Sequence, residues 1–253
     1  MLYSPISMGK NRNSIIGKAA YLEAAQVFHW ATKEHFIIWF TGERERHKRT
    51  ETILPRLVRN GKLTALRYGH SLIYSVPRMN RELKNGDRLY DDYDEDMEKK
   101  LKVKHGLGCT EGLVRIWRSN MAGVIIAERH FRGFNIVPEW GILYNNHKLL
   151  LFEFCTRDNS VRTNVVKGKL TRYRNNLPYI EEKFYGAKAI VMFVLAVRRP
   201  IVKRIVGEVR PAGDPFFFTD YKSFLEVPHS KQLTTPIYIW GEDGESYPLV
   251  TRK

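Results

Sequence analysis

Residues 148–154 read KLLLFEF, and after Lys148 the apolar run is interrupted by Glu153 alone. A run this apolar and this short reads as a strand covered on both faces. A carboxylate inside such a strand is costly unless a partner neutralises it or donates hydrogen bonds to it. The surrounding chain shows where partners would come from. Residues 134–137 (FNIV) are mostly apolar, Pro138-Glu139 marks a turn, and residues 140–144 (WGILY) form the first arm of a hairpin that turns at Asn145-Asn146. After a polar loop over residues 155–163, a helix is expected over residues 165–176, carrying Lys169, Arg172 and Tyr173. Lys169 and Tyr173 lie one helical turn apart and so share a face. A hairpin with an acid before it, an acid inside its second strand and a basic helix behind it can gather one polar site.

The chain has 253 residues, enough for one large domain or two small ones with ample core. Lys and Arg outnumber Asp and Glu 42 to 27, giving +15 and pI near 9.8, a balance that favours a polyanionic partner, nucleic acid first. No apolar stretch reaches membrane-spanning length and the N-terminus lacks a signal-peptide core, so no membrane partner is expected. Cys109 and Cys155 have no metal-like spacing, and a reducing cytoplasm is the default compartment.

Residues 14–78 read as an N-terminal module. Ser14 is placed to cap a helix reaching residue 30, Thr32 to cap a second over residues 33–40, and a third runs from His47 to Val58 before Asn60-Gly61. Pro55 sits inside that third helix and should kink it or remove one hydrogen bond. Strands follow over residues 63–66 and 71–76. Three helices and a hairpin make a winged-helix arrangement, in which the third helix offers side chains to the major groove and the hairpin to the backbone or minor groove. Candidate DNA contacts are Arg44, Arg46, Lys48, Arg49, Arg56 and Arg59 around the third helix, with Arg67 and His70 in the wing. Residues 1–80 carry 13 basic against 5 acidic side chains. The competing reading is a helical packing module kept soluble by its charges.

Residues 79–104 change character: 7 basic face 8 acidic residues over 81–105, including the acidic cluster 91–96. A solvated linker is expected there. From His105 to Lys253 the order is helix (107–121), strand (124–130), the hairpin, helix (165–176), a buried strand (189–197), an ambiguous segment (201–209), a strand (216–218) and a helical turn (220–225). A terminal hairpin over residues 237–240 and 247–250 completes it. The whole is α/β (α+β), with a mixed central sheet expected in the second domain.

Glu139, Glu153 and a lysine resemble the PD-(D/E)xK nuclease-like fold, in which two carboxylates hold Mg²⁺, the cation activates water, and a lysine assists. Here Pro138-Glu139 replaces Pro-Asp, and Cys155 stands two residues after Glu153 where that pattern has lysine. The fuller order is similar to the replication-relaxation family of plasmids, conjugative elements and phages: winged helix, helix from His105, strand ending in Glu128, Pro-Glu139, Glu153 with Arg157, then Lys169 with Tyr173. That resemblance spans residues 14–195 and implies a winged helix joined to a nuclease-like domain and DNA binding in replication or transfer of a mobile element. It also implies a catalytic set of Glu128, Glu139, Glu153 and Lys169, with Glu139 and Glu153 as ligands of Mg²⁺ if the site is catalytic and no cofactor otherwise. Lys167 and Arg172 are candidate DNA contacts on a face of the 165–176 helix that is either solvated or phosphate-contacting.

Bland alternatives stand beside each role: Glu153 a core carboxylate paired with Arg157 or a nearby lysine, Glu139 a turn carboxylate, Glu128 a surface pair with Arg129, and Glu111 an i,i+4 pair with Arg115. Three functions remain open at this stage: a DNA-binding protein of mobile-element replication or transfer, a Mg²⁺-dependent nicking endonuclease, and a dimeric transcriptional repressor. Double-stranded DNA is the expected partner, with a second copy of the chain or replication and transfer proteins beside it.

Overall fold

The computed structural model describes residues 17–28, 30–41, 47–77, 88–89, 97–118, 123–144, 147–156, 161–209, 215–225, 237–240 and 246–249. It is a mixed helix-and-sheet structure, and its described residues up to Arg118 fall in one compact unit and those from Gly123 onward in another.

In the N-terminal unit, helices α1 (Lys18–Val27), α2 (Lys33–Thr41) and α3 (His47–Arg59) surround a small sheet. Its strands are β1 (Ala31–Thr32), β2 (Thr64–Tyr68), β3 (Ser71–Ser75) and β4 (Arg88–Leu89), in the order β1-β3-β2-β4. Stacked and edge-on aromatic rings of Tyr21, Phe28, Phe36, Trp39 and Phe40 fill the space between α1 and α2. Thr32 caps α2 as its sequence position suggests, its hydroxyl accepting from the His35 N–H at 3.4 Å. His35 returns the bond, its Nδ1 accepting from the Thr32 N–H at 3.1 Å, so histidine takes the part glutamate plays in a capping box. The turn between β2 and β3 uses Gly69 at φ 55°, a conformation that a β-carbon disfavours.

Helix α4 (Met97–Arg118) corrects the expected domain boundary. A helix opening the second domain at residue 105 was expected. Instead α4 starts eight residues earlier and belongs to the N-terminal unit, where Val103 and Leu107 pack with Trp30, Leu66, Tyr68 and Ile73. The linker expected over residues 79–104 is correspondingly shortened: β4 pairs in parallel with β2, and residues 97–104 are helical. The acidic cluster 91–96 lies outside the described residues.

The C-terminal unit is built on a seven-stranded sheet of order β11-β10-β9-β8-β7-β6-β5. Its strands are β5 (Val124–Ala127), β6 (Trp140–Leu143), β7 (Lys148–Cys155), β8 (Lys188–Leu195), β9 (Phe216–Asp220), β10 (Ile237–Trp240) and β11 (Ser246–Leu249). Only the β7–β8 and β8–β9 pairs are parallel, so the sheet is mixed, as expected. The two parallel pairs are crossed by α5 (Thr163–Lys183) and α6 (Arg199–Val209), the second resolving the ambiguous 201–209 segment as a helix. Leu149, Leu151 and Cys155 of β7 face these helices in a core with Val166, Leu170, Tyr173, Val202 and Ile205. Phe152 and Phe154 take the opposite face, against Trp140 and Phe224 of the short helix α7 (Tyr221–Leu225).

Two differences from expectation sit at strand and helix ends. The strand expected over residues 124–130 stops at Ala127, and Glu128–His130 form a 3-10 turn. Helix α5 continues seven residues past the expected end at Asn176, through Pro178. Leu177 and Ile180 carry its buried stripe on either side of the proline, while Pro178 itself is exposed.

Candidate functional site

The polar centre of the C-terminal unit forms where β7 faces α5. Alternation along β7 turns Glu153 to the same side as Leu151 and Cys155, and leaves it only 4 % exposed. From α5, Lys169 Nζ donates to Glu153 Oε1, and Tyr173 Oη donates to Glu153 Oε2 at 2.8 Å. The i,i+4 spacing of Lys169 and Tyr173 is what aims both at one carboxylate. Lys169 Nζ also lies 3.6 Å from Cys155 Sγ.

Glu139 joins this centre through the sheet register. Ala127 pairs with Trp140 and Trp140 with Phe152, so one step further along the same rows Glu128, Glu139 and Glu153 stand side by side at the ends of β5, β6 and in β7. The Glu139 N–H donates to the Phe152 carbonyl at 3.0 Å, fixing that register. Glu139 is half-buried, and its charge reaches Glu153, Lys169, Cys155 and Tyr173. Glu128 begins the 3-10 turn, with its carboxylate 3.9 Å from the Arg132 guanidinium.

Burial drives the Glu153 carboxyl upward from its ordinary range; Lys169 opposes that, and the negative charge of Glu139 adds to it. Burial pulls the Lys169 ammonium down, but the surrounding Glu153, Cys155 and Glu139 outweigh it and hold the group above the usual lysine range. Burial pushes the Cys155 thiol up to about 12 despite the nearby ammonium. The Tyr173 phenol is likewise raised well above the ordinary value by burial and by Glu153. Two donors into one carboxylate, a protonated lysine and a neutral thiol form a satisfied buried ion pair with a second carboxylate at its edge.

The fit to Mg²⁺ is incomplete. Glu139 and Glu153 are hard oxygen ligands, yet both Glu153 oxygens already accept from Lys169 and Tyr173, and Cys155 beside them holds a neutral thiol. A cation here would have to compete with the Lys169 ammonium.

Lys169 reaches Glu153 from α5, whereas Lys167 and Arg172 on the same helix are exposed. Tyr173 was not among the expected site residues, although its spacing from Lys169 marked it. Of the partners the sequence offered Glu153, a nearby lysine is the one found, Lys169, and Arg157 lies outside the described residues.

The basic residues of the N-terminal unit form one surface of α3. Thr50, Ile53, Leu54 and Leu57 are buried, and Lys48, Arg49, Thr52, Arg56 and Arg59 are exposed within an arc of about 100° at the helical 100° per residue. Glu51, the acidic residue of that helix, is drawn to one flank by Lys33 at 3.0 Å. Arg67 and His70 of the β2–β3 hairpin are exposed too, while Arg44 and Arg46 lie outside the described residues.

A second polar cluster of this unit went unrecognised in the sequence. Glu111 and Arg115 of α4 form the expected i,i+4 pair, at 2.5 Å, but Glu111 Oε2 also accepts from His35 Nε2 at 2.8 Å. The Thr32 N–H occupies His35 Nδ1, which leaves Nε2 to carry the proton. Burial alone would raise the Glu111 pKa; His35 and Arg115 outweigh it and lower it to about 2.

No protein-family model matches this chain, and no curated protein matches it in sequence.

Proposed function

We propose that this protein binds double-stranded DNA through the N-terminal unit, with α3 as the recognition element of a winged helix and the β2–β3 hairpin as its wing. The observation that carries the reading is the segregation on α3: four cationic side chains share one exposed arc and the apolar residues occupy the other. Cations so arranged contact phosphates and release counterions, which makes affinity fall steeply with salt. Lys167 and Arg172 on α5 are proposed as additional phosphate contacts of a nuclease-like C-terminal domain, and replication or transfer of a mobile element is the role that the replication-relaxation resemblance suggests. A dimer that represses its own promoter would use the same α3 surface.

The test is duplex binding by fluorescence anisotropy between 50 and 200 mM salt, with the range chosen for phosphate contacts. Arg56→Ala with Arg59→Ala should weaken binding about tenfold or more and flatten the salt dependence by about two charges. Unchanged affinity in that variant removes α3 from the interface.

Mg²⁺-dependent nicking at Glu139, Glu153 and Lys169, with Glu128 as a further candidate, is the second reading. What favours it is the Lys169 ammonium beside two carboxylates. Saturation of Glu153 by its donors and the thiol of Cys155 favour binding without chemistry. Incubation of supercoiled DNA with Mg²⁺ or Mn²⁺ separates the two: nicking lost in Glu139→Gln establishes the enzyme. No nicking by wild-type protein that still binds DNA leaves a scaffold.

A further inference from the structure

We propose that Thr52, in the middle of the cationic arc of α3, reads the C5-methyl group of a pyrimidine in the major groove. The inference rests on the reading of α3 as a recognition helix and names the side chain that makes it sequence-specific.

Position singles Thr52 out. At the helical 100° per residue, Lys48 and Arg56 lie about 40° to either side of it, Arg59 about 20° and Arg49 about 60° away, and all five side chains are exposed. In a major groove about 12 Å wide, the middle of such an arc comes nearest the floor, and long cations beside it reach the phosphates along the walls. Phosphate contacts fix the register of the helix on the duplex but carry no sequence information directly. A base reader has to come from the middle of the arc, and a short side chain there lets the helix approach the base edges closely. Helix stability alone does not call for threonine: it is a poor helix former, and at an exposed position core packing does not offset that.

The chemistry of the side chain selects its target. The Thr52 hydroxyl donates to the Lys48 carbonyl, one turn back, at 2.8 Å. That bond uses the hydroxyl proton and holds the side chain in one rotamer. What Thr52 offers a ligand is then its methyl group, beside an oxygen that can only accept. Among the base-pair groups displayed in the major groove, the C5-methyl of thymine is the apolar one, and a threonine methyl is among its regular partners. 5-Methylcytosine presents the same methyl beside an amino donor. Thymine and 5-methylcytosine are the two sources of this chemistry.

The full chain selects its preferred site from a pool of randomised duplexes. Affinity for that site is then read by fluorescence anisotropy with each thymine in turn replaced by uracil, which removes the methyl, and each cytosine by 5-methylcytosine, which adds it. Wild type is expected to lose about fourfold at one thymine, the worth of burying one methyl, or to gain about fourfold at one cytosine. The first result identifies thymine as the source, the second 5-methylcytosine. Thr52→Ser keeps a hydroxyl but lacks the methyl, so it should bind the methylated and unmethylated sites alike. Thr52→Val keeps a methyl and should retain the discrimination. Each protein is read as a ratio between two duplexes, so a change in its folding does not enter. Discrimination that survives in Thr52→Ser, a wild type indifferent to every methyl, or a pool without enrichment overturns the proposal. Arg56→Ala with Arg59→Ala judges α3 separately: full affinity in that variant ends both readings, and lost affinity without a methyl effect ends this one alone.

Discussion

Glu153 illustrates how one side chain constrains its neighbours. Its carboxylate lies in a strand packed on both faces, and Lys169 and Tyr173 satisfy it from α5. Removing one partner of a buried pair leaves the other charge uncompensated, at about 3–5 kcal/mol. Glu153→Ala should therefore lower unfolding free energy by about 3 kcal/mol or more in urea titrations, and adding Lys169→Met should restore part of that loss. If the double variant is less stable than Glu153→Ala, Lys169 has a stabilising partner other than Glu153. Cys155 gives an independent check on the same centre. With its thiol buried and pushed up to about 12, almost no thiolate exists at pH 8, so peptide mapping after iodoacetamide should find Cys155 unlabelled until denaturant is added.

Among the elements, α2 and α4 are joined by charge as well as by packing. Glu111 holds His35 from one side and Arg115 from the other, with its carboxyl lowered to about 2 from an ordinary 4.5. A depressed carboxyl contributes stability that is complete above its unfolded-state pKa and disappears as pH falls through the folded one. The stability gap between wild type and Glu111→Gln should be about 2–3 kcal/mol at pH 6 and should close between pH 4.5 and 2, as read by acid titration of helical circular dichroism. A gap that persists unchanged at pH 2 assigns the effect to packing. The proline-bearing helices carry a related lesson. Pro55 and Pro178 both lie on exposed faces, and the buried stripe of each helix runs on the far side.

Over the whole molecule, α4 decides where one unit ends. Val103 and Leu107 complete a core with Trp30, Leu66 and Ile73, and Glu111 reaches His35. A fragment of residues 11–119 should unfold cooperatively on heating, whereas residues 11–104 should show a broad transition or none, because truncation removes Leu107 and Glu111. Sharp, equal transitions in both fragments would refute that boundary. The net charge of +15 adds a long-range attraction for polyanions, and salt dependence separates that field from the contacts of α3.

Local pattern determined much of the fold. The apolar run of residues 148–154 placed β7, Asn60-Gly61 ended α3 and the Thr32 cap began α2, all interactions between near neighbours along the chain, and i,i+4 spacing put Lys169 and Tyr173 on one face of α5. What needed tertiary structure were outcomes in which distant surfaces compete for the same residue. α4 joins the N-terminal unit because its apolar face is covered there, α5 outlasts Pro178 because Leu177 and Ile180 remain buried, and His35 meets Glu111 across 76 residues of chain. Sequence periodicity records which face of an element is apolar; only packing decides which other element covers it.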